Sequence, residues 1–129
     1  MAYTIDEREA PIKELRNGRG ESLRLINETT GSEYLDFHVN VLRVGSGPGP
    51  YHYHSNAENI YYVLEGVAQV NIEGELLTAG PGVAVWIPAN ERHDVENIGD
   101  VDLRVIEIKI PADSDFILVD RPDPTVTER

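Results

Sequence analysis

The sequence predicts an all-β sandwich or barrel folded as one domain. Three observations lead there. Short runs rich in Val, Ile, Leu and Tyr recur along the chain, Gly, Pro, Asn and Asp clusters separate them, and no helical period persists for three turns. At 129 residues the chain has the commonest single-domain size and can bury a core without staples.

The runs predict strands over Ser22–Asn27, Tyr34–Val44, Tyr51–His54, Asn59–Leu64, Val67–Ile72, Glu75–Leu77, Val83–Ile87, Asp94–Asn97 and Asp102–Ile110. Turn signals fall between them, among them the Gly/Pro loop 45–50, Glu65-Gly66, Glu73-Gly74, Gly80-Pro-Gly82 and Gly99-Asp100. Residues 1–20 read as a charged N-terminal extension, in which Ile12 and Leu15 add an edge strand or a helical turn. The barrel is expected over 21–119. The apolar run Phe116–Val119 is expected to dock on it or on a second subunit, and 120–129 to form a loose tail.

Composition excludes several classes. There are no cysteines, so thiolate metal sites and disulfide frameworks are ruled out. The formal charge of −12 disfavours nucleic acid and anionic membranes as partners. Asp6, Glu7 and Glu9 stand where a signal peptide needs basic and then apolar residues, and no apolar stretch approaches the length of a membrane helix. The expectation is a cytoplasmic protein.

Four histidines carry the chemical signal: His38, His52, His54 and His93. His52 and His54 are two apart on a predicted strand, so both imidazoles point to one face, as gripping one cation requires. His93 follows a separate strand and the turn Pro88-Ala-Asn-Glu91, from which a third imidazole can close on the pair. His38 alternates with Phe37, Val39 and Val41, whose apolar side should face the core, leaving His38 on the outside or at a subunit contact. Trp86 reads as packing, and Arg43 as a rim residue.

The order Tyr51-His52-Tyr-His54, then Glu58-Asn59, then Gly66 resembles the first motif of the cupin family: Gly, His-x-His, three or four residues, Glu, six residues, Gly. Gly82, Pro88, His93 and Asn97 match its second motif, in which Asn90 replaces the turn glycine. Asn tolerates the left-handed conformation, so the turn should survive. The first motif's glycine is displaced, with Ser46 at its place between Gly45 and Gly47.

The resemblance implies a double-stranded β-helix, or jelly roll, with one divalent metal ion (Zn, Ni, Mn, Fe or Co) on His52, His54 and His93. A fourth ligand is implied at Glu58 or Asn59. The anionic Glu58 is chemically the better one. Counting back from Gly66 favours Asn59, in phase with Tyr61 and Val63, unless a bulge intervenes near Ile60. Glu58 is then a candidate catalytic base, and Tyr61 a candidate catalytic residue that hydrogen-bonds substrate.

Cupins share a site rather than a reaction. The expected function is a metal-dependent enzyme acting on a small organic substrate, leaning to a dioxygenase. A redox-neutral isomerase, lyase, decarboxylase or aromatic polyketide cyclase is the first alternative, and a non-catalytic binding or sensing module the second. A homodimer is implied by the resemblance.

Overall fold

A computed structural model describes residues 2–121. The tail expected over 120–129 falls, from 122 onward, outside the described residues. Eleven strands form: β1 (Ile12–Glu14), β2 (Gly20–Ile26), β3 (Asp36–Leu42), β4 (His52–Tyr53), β5 (Glu58–Glu65), β6 (Ala68–Ile72), β7 (Glu75–Ala79), β8 (Ala84–Ile87), β9 (His93–Asn97), β10 (Leu103–Ile110) and β11 (Ile117–Leu118). They make two antiparallel sheets, ordered β1-β2-β3-β10-β5-β8 and β11-β4-β9-β6-β7. This is the expected jelly roll.

The core between the sheets is built from alternate side chains of facing strands, among them Val63, Val70, Ile87, Leu103 and Val105. Gly66 turns β5 into β6 at φ +91°, with the Leu103 backbone so close that a Cβ there would come within 3.0 Å of it. From Tyr62 back to Glu58, β5 keeps unbroken register with both neighbours; the one shift against β10 lies beside Leu64. The bulge that would have turned Glu58 inward is absent.

A second apolar cluster covers the outer face of the six-stranded sheet. Ala10, Leu23, Leu25 and Val39 are buried there, with Ile5, Phe37, Val41 and Ile106 packed against them. Residues 2–20 are thereby tied to the barrel: β1 is an edge strand paired with β2, and Leu15 packs on the main core. This second layer overturns the reading of β3. Phe37, Val39 and Val41 face outward under the N-terminal segment, so Asp36, His38 and Asn40 point into the barrel. His38 is 3% exposed and belongs to the interior.

Two further expectations are corrected. Trp86 does not pack: it is 59% exposed on edge strand β8, because its neighbours Val85 and Ile87 take the inward phase. Glu58 is exposed on the same outer face, where its carboxylate accepts from Trp86 Nε1 at 2.6 Å. The site lies on the opposite side of the sheet.

Candidate metal centre

His52 on β4 and His93 on β9 are directly paired across the second sheet, and His54 follows β4 on the same face. The turn before His93 holds because Asn90 adopts φ +72°, the left-handed conformation its glycine-like place demands. All three imidazoles are buried, and one nitrogen from each lies within 4.8 Å of the others.

The other nitrogens are committed. His52 Nδ1 donates to the Pro50 carbonyl at 2.8 Å, His93 Nδ1 to the Glu91 carbonyl at 2.9 Å, and His54 Nδ1 to the Asp115 carbonyl. Donation through Nδ1 fixes the tautomer and leaves Nε2 as a lone-pair donor. His54 Nε2 and His93 Nε2 are buried with no partner among the described residues. Burial, and then His93, lower His52 to about 4; burial also lowers His93. His52 and His93 therefore stand neutral at neutral pH. Locked tautomers, lone pairs at one point and orphaned buried nitrogens fit a divalent cation.

Asn59 faces inward, 1% exposed, as the β5 phase requires. Its Nδ2 donates to Glu107 Oε2 at 2.7 Å, while its Oδ1 is buried without a partner. Tyr61 is also buried, and its hydroxyl donates to Glu107 Oε2 at 3.3 Å. Burial, and then Glu107, raise Tyr61 well above the ordinary phenol value, so it stays protonated.

Glu107, on β10, is the residue sequence reasoning missed. Its Oε1 accepts from His38 Nε2 at 2.9 Å and from Asn40 Nδ2 at 3.0 Å. Across His38, Nδ1 meets Asp36 Oδ1 at 3.0 Å. Burial pushes Glu107 up, but the His38 hydrogen bond and charge outweigh it and hold the carboxyl well below its usual range. Burial lowers His38, and its two carboxylate partners more than reverse this, so its value is raised. The three form a buried carboxylate–imidazole–carboxylate chain. The only signal for Glu107 was its phase in β10: Leu103 and Val105 point inward, and Glu107 follows them.

A cavity of about 240 Å³ joins these groups, lined by His52, His54, Tyr61, Glu107 and Phe116 among others. Phe116 stacks on His52 with ring centroids 4.2 Å apart. Its chain is held by β11 pairing with β4, and by Ser55 donating its backbone N–H to Asp115 Oδ1 at 2.7 Å. The run 116–119 thus docks on this barrel, over the histidines. Asn97 serves its turn as expected, donating to the Leu42 and Val101 carbonyls and accepting from Gly99 N.

Comparison with known proteins identifies the family. The cupin domain family matches residues 39–109, more than half the chain. An uncharacterised protein of Methanocaldococcus jannaschii, MJ1618, is 35% identical over 60 residues, 46% of this chain and 48% of that one. The polyketide synthase protein CurC of Streptomyces cyaneus is 34% identical over 55 residues, 43% of this chain and 36% of that one. The match therefore spans about half or less of these curated relatives. The polyketide cyclase RemF from Streptomyces resistomycificus shares the fold, with a TM-score of 0.79, 21% identity, and 95% and 89% of the two chains covered. The chain belongs to the cupin domain family.

Proposed function

We propose that this chain is a mononuclear metal-dependent enzyme that performs redox-neutral chemistry on a small oxygen-bearing organic substrate. The observation that carries the metal is the convergence of three buried imidazoles whose Nδ1 positions are occupied and whose Nε2 lone pairs are not. His52, His54 and His93 would hold a divalent ion, with the unpartnered Asn59 Oδ1 as fourth donor. When bound, such an ion acts as a Lewis acid towards a substrate carbonyl or enolate oxygen.

The chain's own groups favour proton chemistry. Glu107 is kept ionised, which makes it a weak base and a good positioning residue: it aims Asn59 and holds the Tyr61 hydroxyl. Tyr61 keeps its proton and donates it in a hydrogen bond to Glu107, so its hydroxyl oxygen is left to accept from a donor on the substrate. Phe116 limits water access above His52. A donor set of three imidazoles and an amide, with no carboxylate, would leave the ion's positive charge for an enolate oxygen, which moves the reading from the dioxygenase expected from sequence towards the isomerase and cyclase class. The names of CurC and RemF support the same direction. The homodimer implied by resemblance stays part of the proposal; exposed Tyr62, Leu64 and Trp86 on one sheet face supply apolar surface for it.

The test begins with elemental analysis of the native protein and of His93→Ala. Metal-replete protein is then assayed for deuterium exchange α to a carbonyl, using acetylacetone, with oxygen consumption followed in parallel. Exchange that is lost in His93→Ala, without oxygen uptake, is the expected result. Oxygen consumption would instead favour the dioxygenase.

A further inference from the structure

We propose that Arg19 is an anchor for an oxyanion, so that the substrate is an organic anion whose carboxylate or phosphate sits on this guanidinium while its reacting oxygen faces the histidines. The inference rests on the reading of the cavity as an active site and names the class of substrate it takes.

Arg19 lines the same cavity as His52, His54 and Tyr61, although it comes from the N-terminal segment. It is put there by Gly20, which opens β2 at φ +152° with its Cα so near β3 that a Cβ would meet the Val41 carbonyl oxygen at 1.8 Å. The Arg19 carbonyl accepts from Arg43 N at 2.8 Å, closing the same junction.

The guanidinium is braced but not neutralised. Nη2 donates to the Val95 carbonyl at 3.2 Å, and the Gly49 backbone packs so close that a Cβ there would come within 2.9 Å of both Nη atoms. Nε is buried with no acceptor. Among the described residues no carboxylate pairs with it: Asp94, the acidic neighbour on β9, is taken by Arg121 at 2.5 Å. Burial, only partly offset by Tyr61, Asp94 and Glu96, lowers Arg19 from its ordinary value, the mark of a cation short of countercharge.

Charge distribution points the same way. The chain carries −12 overall, yet four of its eleven basic residues line this one cavity: Lys13, Arg19, Arg24 and Lys109. Glu107 is the only carboxylate among the described lining residues, and His38 Nε2 hydrogen-bonds it at 2.9 Å. Arg24 is spent on Asp36 at 2.8 Å, and Lys109 lies 3.6 Å from the same carboxylate. Among the described residues, Arg19 and the exposed Lys13 have no carboxylate partner. A planar guanidinium with unmet N–H groups suits a bidentate oxyanion.

The experiment uses the full chain loaded with zinc, with zinc content measured in every sample. Malonate, inorganic phosphate and the neutral malonamide are titrated by calorimetry at constant ionic strength into the native protein, Arg19→Gln and Arg19→Lys. The expected result is that malonate or phosphate binds at least about tenfold more weakly to Arg19→Gln, with Arg19→Lys between the two and malonamide indifferent to both. In the unmutated protein the Arg19 Nε–H resonance should move as the bound anion is added, a readout that holds even where a variant folds poorly. Equal affinity in zinc-replete native and Arg19→Gln proteins, no binding of either anion, or an unmoved Arg19 resonance overturns the inference. Zinc-free samples would instead count against the metal reading on which it rests.

Discussion

Asn59 donates Nδ2 to Glu107 Oε2 at 2.7 Å, and because a carboxylate only accepts, the amide cannot turn over. Its Oδ1 is thereby forced to the opposite side, buried and without a partner. The negative charge usual in a metal-binding carboxylate is here one hydrogen bond removed from the donor atom. Glu107→Gln tests this. Four donors converge on the carboxylate, from His38, Asn40, Asn59 and Tyr61, and a glutamine can accept from only part of them. Zinc affinity, measured by chelator competition, should fall about 10- to 100-fold. Stability should fall by about 3–5 kcal/mol, because a buried charge pair loses one partner. Glu58→Gln, on the outer face, should change neither, and an unchanged zinc affinity in Glu107→Gln would remove Glu107 from the site.

Metal removal should destabilise the whole domain, since β4 and β9 are joined at His52 and His93 by a single residue pair. At an ion concentration about a hundred times its dissociation constant, the bound ion adds about 2.7 kcal/mol. Chelation should therefore lower the melting temperature by several degrees. His54→Ala should melt at the chelated temperature with or without zinc. A native protein indifferent to chelator would contradict the site.

Strand phase explains how much of this was legible in the sequence. The His-x-His pair and the Asn59, Tyr61, Val63 phase are local: two-residue alternation counted from Gly66 is enough to orient them. Asn90 and Asn97 were readable for the same reason, as turn chemistry over a few residues. His38 and Glu107 were not. Reading β3 as apolar-inward assumes that only one face is covered, whereas Ile5 and Ala10 cover the other face from thirty residues upstream. With both faces buried, polarity no longer tells inside from outside. Arg19 escaped for a related reason: its direction is set by the contact of Gly20 with Val41, which is long-range.

That contact predicts that Gly20→Ala is not tolerated. The new methyl would stand 1.8 Å from the Val41 oxygen at a φ of +152°, so β2 must leave β3 or bend. A loss of about 3 kcal/mol or more is expected in chemical denaturation, well beyond the ordinary cost of glycine replacement. Gly74→Ala is the comparison: its φ is +87° but nothing lies within 4 Å, so only the backbone term of about 1 kcal/mol applies. Similar losses in the two variants would refute the steric account.

Phe116 is half exposed yet stacks on His52, so its loss should act more on the site than on the fold. Phe116→Ala removes roughly half of a buried phenyl contribution, about 1 kcal/mol. It also opens the face of His52 to water and loosens the strand that brings the Asp115 carbonyl to His54. Zinc release into excess chelator should quicken several-fold while the denaturation midpoint moves little. Unchanged release would mean that the C-terminal segment merely rests on the barrel.

The His38 chain gives a pH dependence whose direction follows from its partners. His38 is raised above its ordinary value of 6.5 in the folded protein: burial opposes this, but hydrogen bonds to Asp36 and Glu107 prevail, with the Arg24 charge acting against them. A group raised on folding stabilises fully below its unfolded value, and that contribution fades as pH climbs through the folded one. The candidate ligand His52 behaves oppositely: lowered to about 4, it costs stability as pH falls below 6.5. Comparing metal-free native protein with metal-free His38→Gln cancels the ligand contribution, which both share. The native protein's advantage in denaturant should be largest near pH 6 and shrink steadily towards pH 9. An advantage that holds constant over that range would mean His38 is neutral when folded, and that the Glu107 charge is balanced by something other than an imidazolium.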